Sequence, residues 1–278
     1  MGNLLKNDFC RLVKNKLYWG VVIVFAFMTF YTSFQARKQC DSVDDLLGAM
    51  LFYLEIAVSA FVPLFVVSEY KSGVVKNKII AGFSRLQIYV SLLITSVVSA
   101  LGILVAWVIA YYPYALALYG TKFGYDHITN ADRWEVILAK ACLVVVCATF
   151  AILVSTVISR KSVTIVILVV GTLFYYTFFL PNILMTRKDL VLEDVSVEQM
   201  DESTYAVTYT ATEDEEEVDN SHKRKVLETV DNVMFCGHEM LIDYYNMEKV
   251  HEYILWDSVA AVVYAGFGLV VFKLKDFK

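Results

Sequence analysis

The segment Ser68–Ser91, SEYKSGVVKNKIIAGFSRLQIYVS, lies between two long apolar stretches and decides how the chain is arranged. It carries Lys71, Lys76, Lys78 and Arg85 against a single acid, Glu69. Short connectors on the cytoplasmic side of a membrane collect Lys and Arg, which places this segment there. The pattern of Gly73, Gly82, Ser84 and Arg85 is more ordered than a solvated tether needs, and it reads as a docking element.

The flanking composition makes this a membrane protein. Of 278 residues 58% are hydrophobic, and the mean hydropathy is +0.56. Soluble domains run about 45–50% apolar, and apolar runs of about 18 residues or more read as spans. Six spans are expected near Leu17–Phe34, Leu46–Val67, Gln87–Ala110, Glu135–Ile158, Val163–Leu180 and Ile254–Phe272. The expected fold is therefore an all-α polytopic bundle. Tyr18, Trp19, Tyr111, Tyr112, Trp134 and Trp256 gather near span ends, where amphipathic rings prefer the headgroup region. The net charge of −5 comes from acids concentrated in one segment, and the basic residues are scattered over short loops. That distribution gives no support to a nucleic-acid partner.

Orientation follows from the loops. One side holds Lys6, Arg11, Lys14 and Lys16, then the connector's four cations, then Arg160 and Lys161, then Lys273, Lys275 and Lys278. The other short loops hold Arg37, Lys38, Lys122 and Arg133. The excess puts both termini in the cytoplasm, as an even number of spans requires. Residues 1–16 are expected to form an amphipathic interfacial helix, with Leu4, Leu5, Phe9, Leu12 and Val13 on one face and Lys6, Arg11 and Lys14 elsewhere. The first span is read as a retained helix rather than a signal peptide, since Phe34-Gln35-Ala36 offers no small-residue cleavage site.

Residues 181–253 form the one long connection, acidic throughout and expected outside, with Glu213, Asp214, Glu215, Glu216 and Glu217 in a row. Val191–Gln199 and Thr204–Thr212 alternate apolar and polar residues around Asp201-Glu202-Ser203, which predicts a β-hairpin. Val226, Leu227, Val230, Val233 and Met234 then follow helical spacing. This small α+β segment precedes the last span and a cytoplasmic tail at 254–278. The acidic run reads as a solvated loop, with a cation or cationic-peptide site as the alternative.

Chemistry-bearing motifs are scarce. No G-x-x-x-x-G-K-[ST] loop occurs, so a phosphate cradle is missing, and no H-E-x-x-H or clustered Cys/His metal pattern appears. Cys40 and Cys236 fall on the outer side and are a candidate disulfide whose geometry sequence does not settle. Two ionisable residues lie inside spans. Glu55 sits near the middle of the second, where a charge costs roughly 3 kcal/mol or more. Lys140 lies close enough to the end of the fourth to snorkel outward. Either these mark a substrate path or gate, with Lys140 as the partner of Glu55, or they make a buried structural hydrogen bond. Tyr175, Tyr176 and Thr177 on the fifth span offer a mixed aromatic and hydroxyl surface for an amphipathic substrate, or simply pack.

Glu69-Tyr70, Gly73, Lys76-Asn77-Lys78, Ala81-Gly82, Ser84-Arg85 and Ile88-Tyr89 resemble the first cytoplasmic connector of permease subunits of type-two ABC exporters. The likeness is to the bacterial group associated with bacitracin, lantibiotic and other antimicrobial-peptide export. The motif covers about two dozen residues, and the six-span layout extends the likeness over the chain; the longer, more acidic outer segment departs from it. The resemblance implies a transport subunit of a bacterial plasma membrane that is not itself an enzyme. A separate ATPase, in two copies, would bind ATP and Mg, and a second permease chain would complete a homodimer or heterodimer. It further implies a coupling helix near Ser72–Ala81 that inserts into the ATPase, with Glu69 and Arg85 bracing its ends and Gly73 and Gly82 allowing sharp turns. A basic loop attracted to anionic membrane lipid is the alternative. Two other classes remain: a membrane sensor or resistance protein using the outer segment as receptor, and an intramembrane enzyme. Glu55 has no Glu or His neighbour on its own span to support the latter.

Overall fold

A computed structural model of the chain describes residues 1–36, 52–120, 130–158, 160–174, 194–201, 204–210 and 247–275. The helices are α1 (Gly2–Val13), α2 (Lys16–Ala36), α3 (Phe52–Lys71), α4 (Val74–Ile80), α5 (Arg85–Tyr119), α6 (Asn130–Ile158), α7 (Lys161–Phe174) and α8 (Met247–Leu274). Two strands, β1 (Asp194–Asp201) and β2 (Thr204–Thr210), pair antiparallel with Val197 opposite Val207 and an irregularity between Gln199 and Asp201. The expected helical spacing over Val226–Met234, the run Glu213–Glu217, the Cys40–Cys236 pair and Tyr175, Tyr176 and Thr177 lie outside the described residues.

The chain is an α-helical membrane protein. α2, α5, α6 and α8 each contain a stretch long and apolar enough to cross a bilayer. α3 passes the same test together with α4, to which it is joined through a 53° bend, and α7 is shorter. Several elements outrun the predicted spans. α5 is 35 residues long, about 50 Å at 1.5 Å per residue, well beyond the hydrocarbon thickness.

Local sequence sets the breaks. α2 starts where the Asn15 side-chain oxygen accepts the Leu17 N–H at 3.0 Å, as a helix-capping amide does. α5 starts with a capping box: the Gln87 N–H donates to Ser84 Oγ at 3.3 Å, and the Ser84 N–H donates to Gln87 Oε1 at 3.1 Å. Between α3 and α5 the chain turns at Gly73 (φ +71°) and Gly82 (φ +86°), left-handed positions that glycine adopts without a Cβ penalty.

α6 is the hub of the bundle, packing on α8, α3, α5 and α7; α2 lies on α5 and α3, and α1 lies across α5. Contacts near the helix ends give the directions. The Tyr70 and Thr156 hydroxyls meet at 3.1 Å, Glu135 meets His251 at 3.8 Å, and Arg85 reaches the carbonyls of Lys273 and Lys275. α3, α6 and α8 therefore run parallel, and α5 runs against them. The interior is closed by large side chains, among them Phe61, Trp107, Tyr111 and Phe272. A buried stripe of Ser91, Thr95 and Ser99 lets α5 approach its neighbours closely. Thr95 donates back to the Ser91 carbonyl at 2.8 Å and Ser99 to the Ser96 carbonyl at 2.7 Å, so two of these hydroxyls are satisfied within their own helix.

The first helix departs from its predicted face. Leu4 and Leu12 are buried, but Val13 is exposed and Asp8 is buried between them at 1% exposure. Asp8 shares the Leu4–Leu12 face by the i, i+4 rule, and the partners described below hold it there.

Close packing also predicts a sharp contrast between two glycines of α8. A Cβ at Gly268 would stand 2.2 Å from the Tyr89 hydroxyl, which donates to the Ala265 carbonyl at 2.9 Å, whereas one at Gly266 meets nothing within 4 Å. Gly268→Ala is expected to cost about 1–3 kcal/mol through overpacking, while Gly266→Ala is neutral or stabilising. Thermal unfolding of the two variants in the same detergent measures the difference; equal midpoints would disprove the contact.

Candidate functional site

The connector is held by charges that come from outside it. Lys78 on α4 is only 6% exposed, and its ammonium donates to both oxygens of Asp8 at 2.7 and 2.8 Å. A third, longer contact of 3.4 Å runs from Lys78 to Glu69 at the end of α3. Glu69 is buried and also takes Arg11 from α1, at 2.7 Å to one oxygen and 2.8 Å to the other. This two-pronged guanidinium–carboxylate geometry is the strongest form of such a pair. Ser91 of α5 donates to Asp8 at 2.7 Å. Four helices thus meet in one network of alternating charge, and two acids balance two bases. Burial of such groups is tolerable only when each is paired and hydrogen-bonded.

With its inner side pinned, α4 presents a defined outer side. Lys76, Asn77, Ile80, Ala81 and Gly82 are exposed, and Ile80 is 75% exposed at the outer tip. Ser84 is exposed as well and caps α5, and Gly73 makes the turn into α4. A shallow groove beside this tip is lined by Asn3, Asn7 and Arg11 of α1 and by Val74, Asn77 and Ala81. Of the residues expected to face a partner, Lys76, Asn77 and Gly82 are on the exposed side. Lys78 is not, because Asp8 holds its charge inward. Glu69 is paired with Arg11 of α1 and Lys78 of α4. Arg85 is turned toward the end of α8, and the Tyr70 ring is half-buried against α6, its hydroxyl 3.1 Å from that of Thr156.

A second set of charges sits deep in the bundle. Glu55 on α3, Lys140 on α6 and Asp257 on α8 are all buried, Lys140 to 1% exposure. Lys140 lies five residues along α6 from Glu135, and Asp257 lies six along α8 from His251, which faces Glu135; at 1.5 Å per residue both are about 8–9 Å further in. Glu55 is fifteen residues from Tyr70, and Lys140 is sixteen from Thr156, the residue Tyr70 touches. The three groups therefore occupy one level on three parallel helices. The Lys140 ammonium is 5.7 Å from the centre of the Trp107 ring, within cation–π range, and Cys142 interacts with Ser258 and Asp257 one step away. Lys140 does not snorkel outward: α3, α5, α7 and α8 pack around α6 and close that route. Among the described residues no group of His, Cys, Asp and Glu is arranged to hold a metal ion.

Two residues of these clusters carry no motif. Asp8 is detectable as an acid on the apolar face of an amphipathic helix, where a charge needs a partner. Asp257 is an acid within the last span, subject to the same cost as Glu55.

The network predicts unequal costs for its members. Asp8→Asn leaves Lys78 buried with only the 3.4 Å contact to Glu69 and is expected to destabilise by about 3–5 kcal/mol, the scale of breaking a buried pair from one side. Arg11→Ala is expected to cost less than half of that, because Arg11 is one-third exposed and Glu69 keeps Lys78. Unfolding midpoints in detergent test the ranking, and an Asp8→Asn protein as stable as the parent would refute it.

Comparison with known proteins finds no matching protein-family model and no matching curated protein.

Proposed function

We propose that this chain is the membrane-spanning subunit of an ATP-driven exporter of the type-two ABC class, working with a separate ATPase that docks on the connector. The observation that carries the reading is α4: a short helix between two left-handed glycines, pinned on one side by Asp8 and Glu69, with Lys76, Asn77 and Ile80 turned outward. A docking element needs this combination of a rigid base and a free, mixed apolar and cationic tip. A lipid-facing basic loop would have no use for a buried counter-charge beneath it. The chain carries no phosphate-cradling loop of its own, so ATP and Mg belong to the partner, present in two copies.

In this reading α2, α3, α5, α6, α7 and α8 belong to the six spans. The basic loops face the cytoplasm of a bacterial cell, both termini lie there, and residues 181–253 are outside as a small α+β segment. Two permease chains, alike or unlike, form the pathway. The buried Glu55–Lys140–Asp257 level and the aromatic fifth span suit an amphipathic peptide, lipid or antibiotic-like substrate with a charged group.

Orientation is tested by thiol labelling in intact cells. Lys76→Cys and Lys161→Cys are expected to resist an impermeant reagent, while Glu215→Cys reacts; labelling of Lys76→Cys from outside overturns the topology.

Docking is tested by affinity purification in mild detergent, which is expected to recover an ATPase. Lys76→Glu combined with Ile80→Asp changes only exposed side chains and is expected to reduce that recovery by about tenfold or more, the effect of losing an interface anchor. Undiminished recovery, or no ATPase with the parent chain, refutes the assignment.

A further inference from the structure

The last helix ends in a socket built from both sides of the connector. The final carbonyls of any α-helix lack partners within it. In α8 the guanidinium of Arg85 supplies them, with Nη1 donating to the Lys273 carbonyl at 2.5 Å and to the Lys275 carbonyl at 3.1 Å. A cation in this position also complements the negative end of the helix dipole. Phe272, fully buried, fits between two tyrosines: its ring centre is 5.6 Å from that of Tyr89 and 6.2 Å from that of Tyr70. Lys275 extends the seat in the other direction. Its ammonium donates to the Thr156 carbonyl near the end of α6 and lies 5.1 Å from the centre of the Tyr70 ring. Burial there holds the Lys275 ammonium below the ordinary lysine value.

Three of the residues holding the end of α8 are attached to the connector. Tyr70 follows Glu69, which the ion-pair network clamps, and Arg85 follows Ser84, the cap that starts α5. Tyr89 is one turn further on. When α4 moves, the two chain segments that leave it carry Tyr70, Arg85 and Tyr89 with them.

We propose that the Arg85–α8 contact is a latch that transmits displacement of the connector to the end of the last helix. Arg85 is a positioning residue in this device. Its guanidinium bridges two carbonyls of α8 from the first turn of α5, so a rotation of the α4–α5 junction is felt at Lys273 and Lys275 before it reaches the middle of the bundle. Parallel α8 then carries the motion toward Asp257 and the buried charge level. The device holds whichever partner moves the connector, so it stands apart from the ATPase assignment.

The test is amide hydrogen exchange on the purified full chain in detergent, with no partner present. Gly82→Ala disturbs the connector through backbone strain alone, since Gly82 has φ +86° and a Cβ there meets nothing within 4 Å. It is expected to speed exchange in α4 and, through Arg85, to speed exchange over Phe267–Leu274 about fivefold, the effect of losing roughly one hydrogen bond's worth of local stability. Arg85→Ala alone is expected to speed exchange over the same turns. The double variant should exchange there no faster than Arg85→Ala. Arg11→Ala, which loosens the connector from the α1 side, is run in parallel with the same expectation, so that the result does not hang on one substitution. If α4 exchanges faster while Phe267–Leu274 keeps its parent rate, or if the effects on α8 are independent of Arg85, no latch exists.

Discussion

Lys78 in its cage of Asp8 and Glu69 is the constraint on which the architecture of this end of the bundle depends. An ammonium at 6% exposure is tolerated only because a carboxylate takes it at 2.7 and 2.8 Å and a second lies at 3.4 Å. The two carboxylates come from α1 and α3, so neither helix can leave without stranding a charge. Arg11 completes the balance from α1, and Ser91 ties the cluster to α5. A helix of seven residues has little stability of its own, and α4 is held by this network rather than by propensity.

The same logic recurs across the bundle in a different form. Where apolar faces meet lipid, burial alone gives no preference for one helix over another, and specific contacts must choose. Here these contacts are aromatic hydroxyls and small residues. Tyr18 donates to the Ser99 carbonyl at 3.4 Å beside Gly102, and Tyr89 donates to the Ala265 carbonyl beside Gly268. Each pairs a tyrosine on one helix with a glycine on the next, which leaves room for the ring's polar end. α2 and α8 keep broad apolar faces outside these contacts.

Charge is distributed in two layers with different purposes. Near one end of the bundle the Asp8, Arg11, Glu69 and Lys78 network is balanced and closed, and it makes a platform. Deeper, Glu55, Lys140 and Asp257 share one level where any ionised group carries a desolvation cost. α8 spans the distance between the two layers, with Asp257 at the deep level and its last turn held by Arg85 beside the platform. The latch and the buried level are thus on one rigid element.

Much of this was legible in the chain itself. Long apolar runs dictate membrane helices because unpaired backbone in hydrocarbon is prohibitive, and Gly73, Gly82 and the Ser84–Gln87 pair mark the breaks that bound α4 and cap α5. Lys and Arg counts identify the basic face of the connector. Tertiary structure alone decided which of those cations are free. Lys76 and Lys78 are two residues apart and identical in type, yet one is exposed and the other is buried, because only Lys78 faces the α1 helix that brings Asp8 to it. The same holds for Arg85, whose partners are backbone carbonyls nearly two hundred residues away, and for the common level of Glu55, Lys140 and Asp257, which follows from the relative stagger of three helices. Periodicity within one helix tells which face a residue is on, but the neighbour on that face is set by how the helices pack, and no local pattern encodes it.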